Sequence, residues 1–370
     1  MTHLLVGTTK GLFVRTSDDR QGWTMSGPHC DGAPVNHATA DVATGRVWAA
    51  GGNNWTGAQI WRGSLEGAEW QSTLLANGEF DAWLHNDPDF AKEIGQEPRP
   101  DAPFKGQIDA VWSIKRVGDT LYAGAKPARF LRSDDNGETW TALNALTDQD
   151  GAESWNPGGA GLTLHTIVAD PADPLKLWVG ISAAGVFATE DGGASWEPRM
   201  RRANDDTGTV GGCVHNMVRA NEDADVLYQQ NHNGVFRSRD GGRSWTEITD
   251  GLPSTFGFPI AVHPTDSNKI WVLPLNGDSS GRYPPEASAA VWHSQDAGDT
   301  WVKQQNGLPT ENCYFTVLRQ AMSVDEHPQS GLYFGTNSGS VFATLDGGAT
   351  WSEIARHLPT VLCVEAVTPR

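Results

Sequence analysis

Residues 238–245 read Ser-Arg-Asp-Gly-Gly-Arg-Ser-Trp, and this octapeptide decides the fold. Its pattern is Ser/Thr-x-Asp-x-Gly-x-Ser/Thr-Trp, from Ser238 through Asp240, Gly242 and Ser244 to Trp245. It recurs at Trp140 (Ser133, Asp135, Gly137, Thr139) and Trp196 (Thr189, Asp191, Gly193, Ser195). Further copies end at Trp301 (Ser294, Asp296, Gly298, Thr300) and Trp351 (Thr344, Asp346, Gly348, Thr350). Each residue type has a mechanical reason. The carboxylate accepts backbone N–H bonds inside a tight turn. The glycine permits positive φ where the turn closes. The hydroxyls add local bonds. The tryptophan opens the next strand and buries a large apolar area between units.

Upstream of each octapeptide the chain repeats one plan of β-rich runs. Leu164–Ala169, Leu177–Ile181 and Gly185–Ala188 precede the turn, and Trp196 opens a fourth strand. The same plan fits Ala110–Trp140, Val214–Trp245, Phe258–Trp301 and Phe315–Trp351. Two decayed copies come first. One ends at Trp70, keeping Gly67 but with Leu65 in place of the aspartate. The other runs from Thr16 to Trp23, keeping Asp18 but with Arg20 in place of the glycine. Seven units of four strands predict an all-β chain, a seven-bladed β-propeller, as one domain over residues 1–370. The N-terminal runs Leu4–Thr8 and Gly11–Arg15 match second and third strands, and Val361–Thr368 matches a lone innermost strand. Pairing of the N-terminal strands with the C-terminal strand should therefore close the ring, which removes two open edges.

The octapeptide resembles the Asp-box (BNR) hairpin of sialidases, sortilin-type receptors, xyloglucanases and photosystem II assembly factors. Along its whole length the chain is similar to bacterial single-domain BNR-repeat proteins, often called glycosyl hydrolase or sialidase-like. The resemblance implies a carbohydrate ligand and places the boxes on the bottom rim, with ligands at the top mouth of the central channel. Sialidase chemistry itself is not expected. It needs an arginine triad and a Tyr nucleophile paired with Glu. The chain lacks the Arg-Ile-Pro motif, and Tyr122, Tyr228 and Tyr333 fall on second strands. Some polysaccharide lyases of this fold use histidine and tyrosine at the mouth, sometimes beside calcium.

The formal charge of −18 argues against nucleic acid or an anionic membrane as partner. Cys30, Cys213, Cys313 and Cys363 lie far apart without a CxxC, so neither a zinc motif nor a disulfide scaffold is suggested. The N-terminus has no basic, then apolar, leader, and no apolar run is long enough for a membrane span. The expectation is a soluble cytoplasmic protein.

The longest top-face excess is the insertion 76–107 between blades 2 and 3. Within it Asp87-Pro88 and Gly95 predict a short helix, with Asp87 as N-cap and Pro88 at the first helical position. Long loops on one rim of a rigid scaffold usually carry function. His37, His165 and His215 stand at the start of innermost strands and make candidate general acids or bases. They could instead share one divalent metal at the channel mouth. Candidate substrate-binding residues are Trp112, Lys126, Trp155, His232, Arg282 and Tyr283, with Asn54, Trp55 and His85 near the insertion. Tryptophan beside Asn, His and Arg suits a carbohydrate or another polar small molecule. Arg319 and Glu365, deeper on innermost strands, are expected to pair across blades 7 and 1. The expected function is a propeller that binds, and could cleave, a carbohydrate by glycosidase- or lyase-like chemistry. The alternative is a non-catalytic scaffold with a protein partner.

Overall fold

The repeated turn builds the ring because its hydrogen bonds close locally. In residues 238–245 the Asp240 carboxylate accepts from Ser238 Oγ (2.7 Å), Ser244 N (2.8 Å) and Ser244 Oγ (2.6 Å). Gly242 N donates to Ser238 Oγ at 2.8 Å. The same four bonds form in the turns at Asp135, Asp191, Asp296 and Asp346. The central glycine of every copy has positive φ, from 82° at Gly242 to 104° at Gly348, where an L side chain would be strained. In the first blade the turn shifts by one residue. Ser17 and Asp19 make the bonds, not Thr16 and Asp18, because Asp19 is placed to accept from Gln21 N and Gly22 N.

The computed structural model describes residues 1–368 except 68, 160, 204, 206, 207 and 224. Seven four-stranded antiparallel sheets form a seven-bladed propeller. Blade 1 takes its innermost strand, Val361–Val367, from the C-terminus and pairs it with Thr2–Thr8, so the ring closes as expected. The other innermost strands are Val35–Asp41, Ala110–Val117, Thr163–Ala169, Val214–Arg219, Gly257–His263 and Met322–Val324, for blades 2 to 7. Among the described residues no helix is long and apolar enough to cross a membrane.

Tryptophans lock neighbouring blades in both directions. Trp245 and Trp301 reach back, donating through Nε1 to Arg199 O (2.8 Å) and Ile248 O (2.9 Å) of the preceding blades. Trp48 and Trp178, on second strands, reach forward to Asn136 O and Gly241 O, both at 2.8 Å, inside the next blade's turn. Each therefore adds a satisfied hydrogen bond to a large buried area.

Blade 7 departs from expectation. Its innermost strand begins at Met322, not at Phe315. The residues just before it cross the axis instead. Gln320 Nε2 donates to His165 O of blade 4 (2.5 Å), and Asn216 Nδ2 of blade 5 donates to Arg319 O (2.7 Å). These bonds span the upper channel. Below them the innermost strands enclose a cavity of about 240 Å³ lined by His37, Lys115, Asn216, Gln320 and Glu365.

The blade 2 to 3 connection carries two helices, α1 (Glu79–Asn86) and α2 (Pro88–Glu93). The second matches the sequence signals: Asp87 accepts from Phe90 N at 3.0 Å, and Gly95 follows with φ of 65°. The first was not foreseen. Its N-cap is Gly78, without a side-chain cap, and Asp81 accepts from Gly78 N instead (3.2 Å). That aspartate is buried and held by Arg99, whose Nε and Nη2 donate to its two oxygens at 2.8 and 2.7 Å. Arg99 Nη2 also reaches Thr56 O (2.7 Å), so one forked side chain ties the insertion to blade 2.

Candidate functional site

The innermost strands of blades 2 to 5 each carry a bulge near their start. A bulge inserts one residue and re-aims its side chain. The register makes Asn36, Trp112, His165 and His215 equivalent, and His37 equivalent to Ser113, Thr166 and Asn216. His37 therefore sits one position later than the alignment of three histidines had placed it.

The bulge side chains fasten one blade to the next. Asn36 Nδ2 donates to Val111 O (2.9 Å), and His165 Nε2 to Val214 O (3.0 Å). His215 Nδ1 donates to Gly257 O (2.6 Å). In blade 3, where Trp112 occupies the bulge, Ser113 Oγ takes over and donates to Leu164 O (3.0 Å). His37 Nδ1 works in the opposite sense, accepting from Ile114 N of blade 3 (3.1 Å).

These bonds separate the three histidines. His165 is buried, spends its Nε2 proton on a carbonyl and has its Nδ1 2.8 Å from Thr166 Oγ1. His37 uses its Nδ1 lone pair on an amide, so neutral imidazole carries its proton on Nε2. Among the described residues the ligand atoms of His37, His165 and His215 do not gather within metal-binding distance, so this set does not converge on one metal. Burial drives all three toward the neutral form. His37 falls to about 4 through desolvation and then Lys115, and His165 is held well below its usual value. His215 falls to about 3 through desolvation and then Arg319, against the bond to Gly257 O.

What does converge is Cys213, His215 and His232, whose ligand atoms all lie within 4.8 Å of one another. His215 Nε2 is 3.6 Å from Cys213 Sγ. Phe256 and Phe258, both buried, wall the group, with ring centroids 5.0 and 4.8 Å from His215. The Arg319 guanidinium lies over the Phe258 ring at 4.9 Å and contacts Ser182 Oγ at 3.5 Å. Its Nε is sealed from solvent without a partner, and burial lowers the group to about 10. The expected pairing of Arg319 with Glu365 does not form. Arg319 is held at the top by the crossing segment, whereas Glu365 lies in the lower channel near Lys115, its carboxyl pushed up by burial. Arg282 and Tyr283 border the same region. Arg282 pairs with Asp278 and stands 5.7 Å from the Phe258 ring, and Tyr283 meets the exposed Tyr314 edge-on at 5.0 Å.

A second group gathers at the insertion. Trp55 and Trp83 are 47% and 40% exposed and 5.9 Å apart, with Trp83 stacked on Phe90 at 4.2 Å and Trp55 against Phe80 at 5.5 Å. Beside them lies a cleft of about 540 Å³ whose lining includes the polar side chains Asn54, Glu79, His85, Arg99, Asp101 and Lys105. A further recess of about 350 Å³ is lined by Trp55, Gln59, Phe80, Gln96 and Glu97. The Asp81–Arg99 pair lines both.

The remaining candidates stand apart. Trp155 packs on Phe187 at 5.0 Å and pins its own loop, Lys126 runs against Gly161, and Trp112 fills the blade 3 bulge. The sequence reading passed over Cys213, although Cys-x-His at a strand start was its signal. It also passed over Phe80, Asp81 and Arg99, whose meeting depends on the fold of the insertion.

The strands define a seven-bladed propeller, and polar and aromatic side chains gather in the loops around Cys213 and around the blade 2 to 3 insertion. A family model described as sortilin, neurotensin receptor 3, matches residues 184–330, less than half of the chain. The oligoxyloglucan-reducing end-specific xyloglucanase of Emericella nidulans is 23% identical over 217 residues, half of this chain and 25% of that protein. The chain thus spans a minor part of that relative's length. The GH74 xyloglucanase of Xanthomonas campestris superposes with a TM-score of 0.63 at 15% identity, covering 95% of this chain and 52% of that one. The periplasmic gluconolactonase of Pseudomonas aeruginosa covers 99% of both chains with a TM-score of 0.61 at 12% identity. The chain resembles sortilin-like and GH74-type propellers, and the structural matches carry the fold alone.

Proposed function

We propose that the protein binds a carbohydrate on its top face, at the insertion between blades 2 and 3. The observation that carries this is the pair of exposed indoles, Trp55 and Trp83, fixed by Phe80 and Phe90 and set beside a cleft that polar side chains line. A sugar ring offers an apolar C–H face and a rim of hydroxyls. The indole faces suit the first, and Asn54, Glu79, His85 and Arg99 suit the second. Similarity to xyloglucanases supports the same ligand class. The segment at Arg319–Gln320 crosses the upper channel, which disfavours a ligand on the channel axis.

Titration with xyloglucan and cello-oligosaccharides, followed by tryptophan fluorescence, tests this. A saturable change is expected, with affinity at least about tenfold weaker in Trp83→Ala, or about 1.4 kcal/mol. Equal binding by Trp55→Ala, Trp83→Ala and the parent would overturn the site. No saturable response to any sugar would overturn the function and favour a protein partner on the aromatic face. Release of reducing ends in the same mixtures would add turnover to binding.

A further inference from the structure

We infer that Cys213, His215 and His232 form a zinc site with one open coordination position on the top face of blade 5. This site is separate from the carbohydrate cleft. Three residues from three backbone positions supply it: the loop before the innermost strand, the bulge of that strand, and the turn between the second and third strands. Backbone bonds fix their approach. His232 N donates to Cys213 O at 2.9 Å, and Asn231 Nδ2 donates to Gly211 O at 3.0 Å.

The imidazole of His215 is already in the form a metal requires. Its Nδ1 lies 2.6 Å from a carbonyl, which only accepts, so the proton is on Nδ1 and the Nε2 lone pair faces Cys213 Sγ. Outer hydrogen bonds to carbonyls orient metal-bound histidines in this way. The spacing also fits. A tetrahedral ion with Zn–S of about 2.3 Å and Zn–N of about 2.05 Å holds S and N about 3.6 Å apart. The observed separation is 3.6 Å. One thiolate and two imidazoles select zinc over the oxygen-seeking calcium or magnesium. Binding converts the Cys213 thiol to a zinc thiolate and releases one proton.

Phe256 and Phe258 keep one side of the site apolar, and three protein ligands leave a fourth position open, as in catalytic zinc sites. Arg319 is the second independent feature there. Its Nε is buried without a partner, and among the described residues no carboxylate pairs with it. A zinc thiolate beside a guanidinium is a net cationic centre, so the open position should take an anion or a polarised oxygen.

The test uses the full chain dialysed against Co²⁺ and, separately, Zn²⁺. One equivalent of cobalt is expected to give intense visible d–d bands and a thiolate-to-metal charge-transfer band. Zinc should displace it. Cys213→Ser should remove the charge-transfer band, and His232→Ala should weaken zinc by more than about 100-fold, beyond the loss an outer-shell partner brings. Among the described residues the His232 side chain makes no hydrogen bond to another blade, and Cys213→Ser keeps an atom that can accept from Ala183 N of blade 4, so the metal-free thermal midpoint should stay within about 2 °C of the parent's. Absent charge transfer in the folded parent, or unchanged zinc affinity in both variants, overturns the site. Sugar binding measured alongside fails or survives independently of this result.

Discussion

Replacing His165 with alanine isolates one of the bonds that join blade 4 to blade 5. The side chain is 1% exposed and donates to Val214 O at 3.0 Å. Its loss removes one net hydrogen bond, about 1 kcal/mol, and exposes the buried carbonyl to an unsatisfied state worth about 1–3 kcal/mol. The vacated imidazole volume adds a cavity term. A destabilisation of about 2–4 kcal/mol follows. Equilibrium urea unfolding with m of about 3 kcal/mol/M would lower the midpoint by about 1 M. An internal control comes from blade 2, where Asn36 makes the equivalent bond to Val111 O. His165→Asn should therefore recover part of the loss. An alanine variant with the parent's midpoint, or an asparagine variant no better than alanine, would refute the clasp and reopen a chemical role for His165.

Three further outcomes follow from the same structure. Burial keeps His37 at about 4 and His165 well below its usual value of 6.5, so the unfolded chain binds more protons between those limits. Stability should rise with pH across about 4 to 6.5, and thermal midpoints over that range should show less slope in His165→Asn. Arg99→Ala leaves the buried Asp81 carboxylate unpaired; allowing for partial exposure of the pair, about 2 kcal/mol of docking is lost. Limited proteolysis within residues 77–107 should then speed up about 30-fold while the ring's circular dichroism is unchanged. Asp240→Ala removes the acceptor for Ser238 Oγ, Ser244 N and Ser244 Oγ, and should cost about 1–3 kcal/mol in urea unfolding.

The ring was legible because its determinants are local. Ser238, Asp240, Gly242 and Ser244 satisfy one another within eight residues, so their spacing survives as a readable pattern. The helix at Pro88–Glu93 was legible for the same reason, through Asp87, Pro88 and Gly95. The site was less so. His37, His165 and His215 look alike by distance from the next strand, but a bulge changes the register by one residue, and nothing in composition announces a bulge. Trp55 was visible as an aromatic residue of a top-face loop, yet its meeting with Trp83 depends on α1, which lacks a side-chain cap. The crossing of Arg319–Gln320 rests on bonds to blades 4 and 5, more than a hundred residues away in sequence.

The two roles proposed for the upper rim meet at one residue. His215 holds blade 5 to blade 6 through Nδ1 and faces Cys213 through Nε2. In blade 4 the equivalent His165 makes the same kind of inter-blade bond, but its other nitrogen meets the Thr166 hydroxyl. The equivalent histidines thus differ in what surrounds the second nitrogen. A ring fixed on one side by a structural bond is pre-organised on the other, so a ligand set built there needs little further ordering. Removing His215 would disturb both roles and distinguish neither. Cys213 and His232 carry the proposed metal contact without the bond to Gly257 O, and His165 carries the clasp without a metal contact. Variants at these three positions therefore separate assembly of the ring from chemistry at its rim: loss of stability should track His165, and loss of zinc should track Cys213 and His232.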